Sequence, residues 1–530
     1  MSATCTNAPT RLLVGNYLDM VVLFGIAVWF RALGLQSSRF IGDDQWVIAA
    51  SNTQGGFGEL IRFGHTNPGF HVLVRLFSGG QTAGDSASFI APAFIAGSLA
   101  AIVAYAVLLH LSANRFVAVL FGAILATSKV HADYSVRVKT YTVVVLLGLL
   151  ILGWLVSRDR GPLVERVGIA AWPRFILGLL AYFTALTLGL WIAVYAVAAL
   201  VAIFVCDHDP VVRKWVVRCA ALGGLVSGAW LLFVRSNYGT EAFKEQFSGQ
   251  EYLIPDKGLL QRPERTVTHF LRTTRIIGPD APAAVSAVIS LCIVVAVIYA
   301  LVRRDRVATL TAALTAVFAA GAGFMGFLPY GTVKGWERLD LWLMPAYLVL
   351  LAALLTDVVH RLDLRRILPG RSHALSAGSL AVALVAGLLA FSDRPIPPGS
   401  AASAEFMDGV DSAYEQSTHL LAPNRRVLLA IAAYSEVIPV RLEADESSRG
   451  TRPVPADATV IGSGNLPSLD SFPATRIVLP MTRSFQDGEL ESAKQALRDA
   501  GYAQVAEVFF GRWDQYSIWQ APDPTMIDDG

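Results

Sequence analysis

Phe175 to Cys206 is a run of 32 residues with no acidic residue and no Lys, Arg or His. About 20 apolar residues carry a helix across the roughly 30 Å hydrocarbon core of a bilayer. The run is therefore too long for one span and reads as two, divided near Thr184, Thr187 and Gly189. Nine further stretches of this kind lie at about 14–34, 88–111, 115–130, 140–157, 216–234, 282–302, 307–329, 339–358 and 374–392. Composition agrees, with 54% hydrophobic and 16% charged residues, against about 25% charged in an ordinary soluble domain. That balance excludes a soluble globular enzyme and a disordered chain. A net charge of +2 supplies no basic surface for nucleic acid, and four cysteines make no disulfide scaffold. The expected fold class is an all-α polytopic membrane domain of about eleven transmembrane helices.

Lys and Arg in the short loops set the orientation. Alternate loops carry Arg115; Arg158, Arg160, Arg166 and Arg174; Arg213, Lys214 and Arg218; Arg303, Arg304 and Arg306; and Arg361, Arg365, Arg366 and Arg371. These belong inside, in the cytoplasmic membrane. The N-terminus is then cytoplasmic, the first span is a retained anchor, and the tail lies outside after an odd number of spans. Three large outer segments follow: loops 36–87 and 235–281, and the chain from 393 onward. A Pro- and Ser-rich linker at 393–403 closes the membrane domain, 1–392. Beyond it, 404–530 reads as a small extracytoplasmic α/β domain. Its strands are expected at 426–433, 458–464, 475–481, 503–510 and 515–521, and its helix at 487–500, stopped by Gly501.

Charges at the outer membrane face need a reason to be there. GDDQW (42–46) places Asp43 and Asp44 just after the first span. Such a pair serves either as a helix N-cap or as a base for an acceptor hydroxyl. HTNPGFH (65–71) places His65 before Pro68, which opens an apolar run. HADYSVRVKTY (131–141) holds Tyr134, Arg137, Lys139 and Tyr141 in a short outer loop, against the orientation rule. These cations suit lipid headgroups by snorkelling or a bound phosphate by charge-assisted hydrogen bonds. YGTVKGWERLDLW (330–342) carries Lys334 and Arg338, and the planar fork of Arg338 suits phosphate oxygens. RTVTHFLRTTR (265–275) sets His269, Arg272 and Arg275 at intervals of three, as on one face of an interfacial helix.

Read in order, GDDQWVIAA, HTNPGFHVLVRLFSGG, YSVRVKTYTVVVLLGLL and ERLDLWLMPAYLVLLAA resemble the membrane core of the GT-C glycosyltransferases. The pattern is similar to their bacterial protein mannosyltransferase-like and aminoarabinose-transferase-like branch, over about residues 14–360. The resemblance implies that Asp43 is the catalytic base and that Asp44 stands where the family usually has Glu. His65 and Pro68 match a His-x-x-Pro-like turn. Tyr134, Ser135, Lys139 and Tyr141 match a Tyr-Ser-x-x-x-Arg-x-Tyr segment, with Lys in place of Arg. Arg338, with Pro345 downstream, matches the Arg before the late helix. Arg137 and Val138 replace an acidic residue common in that segment.

The implied reaction takes a sugar from a polyprenyl-phosphate donor to a hydroxyl on a glycan, lipid or protein acceptor of the cell envelope, with inversion. In it, Lys139 and Arg338 receive charge that develops on the leaving phosphate, and Lys334, Arg137, Tyr134, Tyr141 and His65 line the substrate site. The implied partners are the lipid-linked sugar, its acceptor and membrane lipids, and a divalent cation at the acidic pair stays open. Two other classes compete. A lipid-linked glycan transporter or flippase would show paired repeats and polar residues at mid-membrane. A catalytically degenerate scaffold would keep the fold and lose the acidic pair's chemistry.

Overall fold

A computed structural model describes residues 8–35, 42–51, 67–79, 86–158, 171–237, 262–277, 283–304, 306–324, 330–331, 337–361, 381, 402–422, 428, 431, 435, 437–438, 440–445, 450–455, 460–462, 476–481, 487–510 and 514–521. Among the described residues are sixteen α-helices: α1 Ala8–Leu35, α2 Gly42–Ser51, α3 Pro68–Ser78, α4 Ser86–Ser112, α5 Arg115–Thr127, α6 Lys129–Ser135, α7 Tyr141–Arg158, α8 Ala171–Leu188, α9 Ile192–Cys206, α10 Pro210–Asn237, α11 Arg262–Thr273, α12 Ala283–Arg303, α13 Val307–Phe324, α14 Met344–Arg361, α15 Ala402–Glu415 and α16 Asp487–Asp499. A 3₁₀ segment, Glu337–Leu343, leads into α14. The chain divides into two compact units. One comprises Met1–Leu35, Pro92–Ser236 and Thr240–Arg394, and the other Gln36–Ala91, Asn237–Gly239 and Pro395–Gly530.

In the first unit, six helices among the described residues are long and apolar enough to cross a membrane, or seven if the bent pair α5–α6 is one span. Tyr141–Ser157, Ile176–Leu188 and Ile192–Cys206 are apolar but shorter. At 1.5 Å rise per residue they fall short of the hydrocarbon thickness, so the described helices do not reach the eleven full spans expected from sequence. The eleventh stretch, 374–392, lies outside the described residues except for Ala381. The 175–206 run does divide where expected. α8 stops at Leu188 and α9 starts at Ile192, and a Cβ on Gly189 would lie 2.2 Å from Val144 Cγ2. Only glycine lets the break sit that close to α7.

Small side chains fill the centre: Ala308, Ala312, Ala313, Ala316 and Ala319 of α13 are buried in one cluster with Ala202, Tyr195, Val144 and Tyr347. Backbones approach closely where Ala replaces larger residues, which is how helices associate in lipid. Leu225 and Leu232 of α10 are 69% exposed and Val302 of α12 is 75% exposed. Apolar faces this open belong against acyl chains rather than water. This is a multi-pass membrane protein.

Two contacts fix α1 beside α5 in parallel. At the start of α5 and twelve residues into α1, Arg115 grips Asp19 through Nε at 2.6 Å and Nη2 at 2.7 Å, and the Tyr105 hydroxyl donates to the same carboxylate at 2.9 Å. Near their ends, Arg31 Nη1 donates to Ala126 O at 3.2 Å. α5 begins cleanly because Asn114 Oδ1 accepts from the backbone N–H groups of Phe116 and Val117, the ordinary N-cap geometry.

The second unit contains α2 and α3, which pack together, and a five-stranded sheet. Ser51 on α2 lies 3.4 Å from His71 Nδ1 on α3, and Ser51 Oγ also donates to Val47 O. Pro68 opens α3 as expected, at its first turn where a missing N–H costs nothing, and Gly79 closes it with φ +66. The strands are β1 Thr418–Ala422, β2 Val440–Asp445, β3 Gly450–Pro455, β4 Val460–Gly462, β5 Arg476–Met481, β6 Ala503–Phe510 and β7 Asp514–Gln520. The sheet runs β4-β1-β5-β7-β6, parallel across β4, β1 and β5 and antiparallel beyond, while β2 and β3 form a separate antiparallel pair.

Strand alternation assigns the two faces. Leu421, Ile477, Leu479 and Trp519 cluster with Ala493 and Leu497 of α16, while Leu420 and Ala422 cluster with Val410 of α15. The expected helix at 487–500 and the later strands fall close to their predicted places. The strand expected at 426–433 does not: Leu428 and Ile431 are helical, and both bury against β1 and β4. Apolar residues three apart served a helix there, which the continuous apolar run disguised.

Candidate functional site

The polar end of α5 and α6 is built around a break. Ser128 adopts an extended conformation between them, and the two helices bend by 54°. Ser128 Oγ accepts the His131 N–H at 3.3 Å and so caps α6. The chain then leaves α6 in an alternating pattern. Val136 and Val138 are buried, while Arg137 and Lys139 are half-buried and face the opposite way. Lys139 N–H closes a tight turn on Arg137 O at 2.8 Å. The Arg137 guanidinium stands over the Tyr134 ring at 5.6 Å, a cation–π contact. Tyr134 meets Tyr141 edge-on at 5.4 Å, and Tyr141 lies 6.0 Å from Trp191 in the α8–α9 break. Thr140 donates to Leu188 O and Thr142 to Ala93 O, which ties this strip to α8 and α4.

Beneath the strip is a group that pattern reading missed. Arg31 is fully buried, and among the described residues no carboxylate pairs with it. Four of its N–H directions are used. Nε donates to Ser135 Oγ at 3.1 Å, Nη1 to Ala27 O at 2.7 Å and to Ala126 O, and Nη2 to His131 Nδ1. Because a guanidinium only donates, His131 must accept at Nδ1 and carry its proton on Nε2. Ala27 lies one turn before Arg31 within α1, and Ala126 sits in the last turn of α5, where carbonyls lack helical partners and the macrodipole is negative. A lone buried cation is tolerable at such a place. Its signal in the sequence was an Arg near the end of an otherwise apolar run.

The second cationic segment is held as tightly. Gly331 has φ +66, and a Cβ there would lie 2.1 Å from His269 O and 2.4 Å from His269 C. His269 Nδ1–H donates to Tyr330 O, and Gly331 N–H donates to Asp340 Oδ1 at 3.0 Å. Tyr195 donates to Trp342 O at 2.8 Å, and Thr273 and Tyr347 share a 2.6 Å hydroxyl bond. Burial, with Tyr347 and Asp340 adding to it, pushes the Tyr330 phenol well above its ordinary value. It is a neutral donor at any working pH. His269 is buried while Arg275 is exposed, and Val267 is 60% exposed. α11 therefore turns its histidine inward, and the three residues do not share the face that their spacing suggested.

Of the candidates from sequence, Tyr134, Arg137, Lys139 and Tyr141 come together in one strip. Arg338 lies in the 3₁₀ segment beside buried Leu339 and Asp340. Asp43 is the second residue of α2, inside the helix rather than at its cap, and Asp44 is completely buried. His65 and Lys334 lie outside the described residues, as do the side chains of Asp43 and Arg338. Among the described residues, no three His, Cys, Asp or Glu side chains form a group able to hold a metal ion.

No protein-family model matches the sequence, and no curated protein matches it. Solved structures do match. ArnT from Cupriavidus metallidurans bound to undecaprenyl phosphate is similar over 97% of this chain and 100% of its own, at 15% identity and a TM-score of 0.54. The same protein in the apo state gives 95%, 99%, 14% and 0.55. The archaeal oligosaccharyltransferase AglB from Archaeoglobus fulgidus, in complex with an inhibitory peptide and a dolichol-phosphate, aligns over 88% of this chain and 69% of its own, at 12% identity and a TM-score of 0.49. The chain shares its fold with ArnT, and that likeness runs nearly end to end in both chains.

Proposed function

We propose that this chain is an integral-membrane glycosyltransferase that moves a sugar from a polyprenyl-phosphate donor to a hydroxyl acceptor at the outer face of the cytoplasmic membrane, with inversion. The end-to-end likeness to ArnT, whose structure holds undecaprenyl phosphate, carries this reading. In it, the membrane domain spans 1–392 with the N-terminus inside, and 404–530 folds outside without contributing catalytic groups. Asp43 accepts the proton of the acceptor hydroxyl as that oxygen attacks the anomeric carbon. The bond to phosphate breaks with its electron pair, and the polyprenyl phosphate departs as an anion that needs no general acid. Arg137, Lys139, Lys334 and Arg338 take up the charge that grows on the phosphate oxygens, so they stabilise the transition state more than the ground state. Tyr134, Tyr141 and His65 shape the substrate site.

The test is Asp43→Asn in isolated membranes supplied with a polyprenyl-phosphate sugar. Asn replaces the charge and leaves the helix start intact, so protein level and donor binding hold. Transfer falls by roughly two or more orders of magnitude, the scale of general base catalysis. Asp44→Asn is milder if Asp44 only orients its neighbour, and equally severe if the pair holds a cation. Full turnover in Asp43→Asn would return the acidic pair to a structural role. Reporter fusions after residue 400 that are active only in the cytoplasm would overturn the orientation and the site with it.

A further inference from the structure

We propose that Arg31, on the first helix and remote in sequence from the strip 134–141, is the positioning residue that sets that strip for a polyprenyl monophosphate. The proposal rests on the reading above, in which Arg137 and Lys139 receive the donor's phosphate.

The argument begins with the break at Ser128. A 54° bend between α5 and α6 strips Ala126 O of its helical partner and leaves α6 only seven residues long. A helix that short is not stable by itself. Its direction has to be imposed from outside, and Arg31 touches it at both ends. Nη1 occupies the orphan carbonyl Ala126 O before the bend, Nη2 holds His131 in the first turn of α6, and Nε holds Ser135 at its last residue. Ser135 Oγ in turn donates to His131 O at 2.6 Å, so the three polar groups form one closed unit. Tyr134 lies inside this grip, and Arg137 and Lys139 follow Ser135 by two and four residues.

The unit is tightly packed on one side. A Cβ on Gly97 of α4 would lie 2.1 Å from Ser135 Oγ and 3.0 Å from Arg31 Nε. The α4 backbone thus forms a wall against which the guanidinium and the serine are pressed. The planar fork is what reaches three separate elements at once, and an ammonium could not replace it in kind. Arg31 itself is fully buried with its donors directed at Ala27, Ala126, His131 and Ser135, so it acts on a phosphate only through the strip.

The experiment titrates full-length protein in nanodiscs with undecaprenyl phosphate. Lys139→Ala weakens binding about tenfold, the size of one charge-assisted hydrogen bond. Arg31→Gln weakens it to a similar extent. The double variant binds no more than about twofold worse than Lys139→Ala alone, because both changes remove the same contact. Ser135→Ala, which deletes only the Nε acceptor, weakens binding about two- to threefold. Should Arg31→Gln not be recovered from membranes, Arg31→Lys is read in its place with the same expected coupling. Single effects that multiply to about a hundredfold in the double variant would overturn the proposal, since a general loss of fold would be independent of Lys139. Tight binding in the Arg31 variants beside weak binding in Lys139→Ala would overturn it too, and would leave the phosphate reading standing. Unchanged binding in Lys139→Ala would show that the phosphate reading itself had failed, and the proposal would fall with it.

Discussion

Replacing Gly331 by alanine should be among the most damaging single-methyl additions in the membrane unit, and its cost can be separated into two parts. The residue has φ +66, which costs an L-side chain about 1–2 kcal/mol. Its new Cβ would also sit 2.1 Å from His269 O and 2.4 Å from His269 Cα. These are backbone atoms and cannot swing aside, so α11 or the turn must move. Such overpacking adds about 1–3 kcal/mol, and the movement strains the bond from Gly331 N–H to Asp340 Oδ1. The sum is about 2–5 kcal/mol.

Two further glycines isolate the parts. Gly79 shares φ +66 but has nothing within 4 Å of its Cβ position, so Gly79→Ala should show the conformational cost alone. Gly228, in the middle of α10, also has open space, and Gly228→Ala should be neutral or stabilising by up to about 1 kcal/mol. Thermal unfolding of the three variants in one detergent, followed by size-exclusion profile against temperature, gives the order. A Gly331→Ala midpoint no lower than that of Gly79→Ala would refute the claim that the turn is locked by its contact with His269.

The same turn predicts that Asp340→Asn, whose amide oxygen still accepts from Gly331, loses less than about 1 kcal/mol by thermal midpoint. Asp340→Ala should lose about 1–3 kcal/mol because the buried N–H is left unpaired; equal losses would show that charge, not the hydrogen bond, matters. At the other end of the helices, Asp19→Asn should destabilise by about 1–3 kcal/mol, reduced from the fully buried case because both side chains are 15–20% exposed. The double variant Asp19→Asn/Arg115→Gln should recover part of that loss, and a further drop in its midpoint would count against the pair as the source.

Much of the membrane unit was legible because long apolar runs admit few structures. Helix ends at Leu35, Ser112, Cys206 and Arg303 fall within a few residues of where hydropathy and loop charge put them. The 188–192 break was legible from Thr184, Thr187 and Gly189. Other features were not. Nothing local says that Leu428 and Ile431 are helical, because a continuous apolar run fits a strand and a buried helix equally well. The His269 face misled for a related reason: spacing gives which residues share a side of a helix, while neighbours decide which side turns inward. At the candidate site, the sequence placed Tyr134, Arg137, Lys139 and Tyr141 together because they are adjacent. It could not show that Arg31 holds them, since that contact joins residues 100 or more positions apart.

That separation has a consequence in time. Arg31 is synthesised 104 residues before Ser135 and 95 before Ala126. At about 5–20 residues per second, the guanidinium waits about 5–20 s for its partners. During that interval a single charge in a bilayer core costs several kcal/mol, unless the helix end stays at the interface where the side chain can reach water. The first helix is therefore synthesised well before its docking partners, and the expected outcome is that it reaches its final depth only when the α5–α6 bend is there to receive it. Nascent chains stopped before Ala126 should leave a cysteine at position 30 open to a water-soluble maleimide, and chains carried well past Tyr141 should close it. Equal labelling of both lengths would mean that α1 reaches its final depth alone.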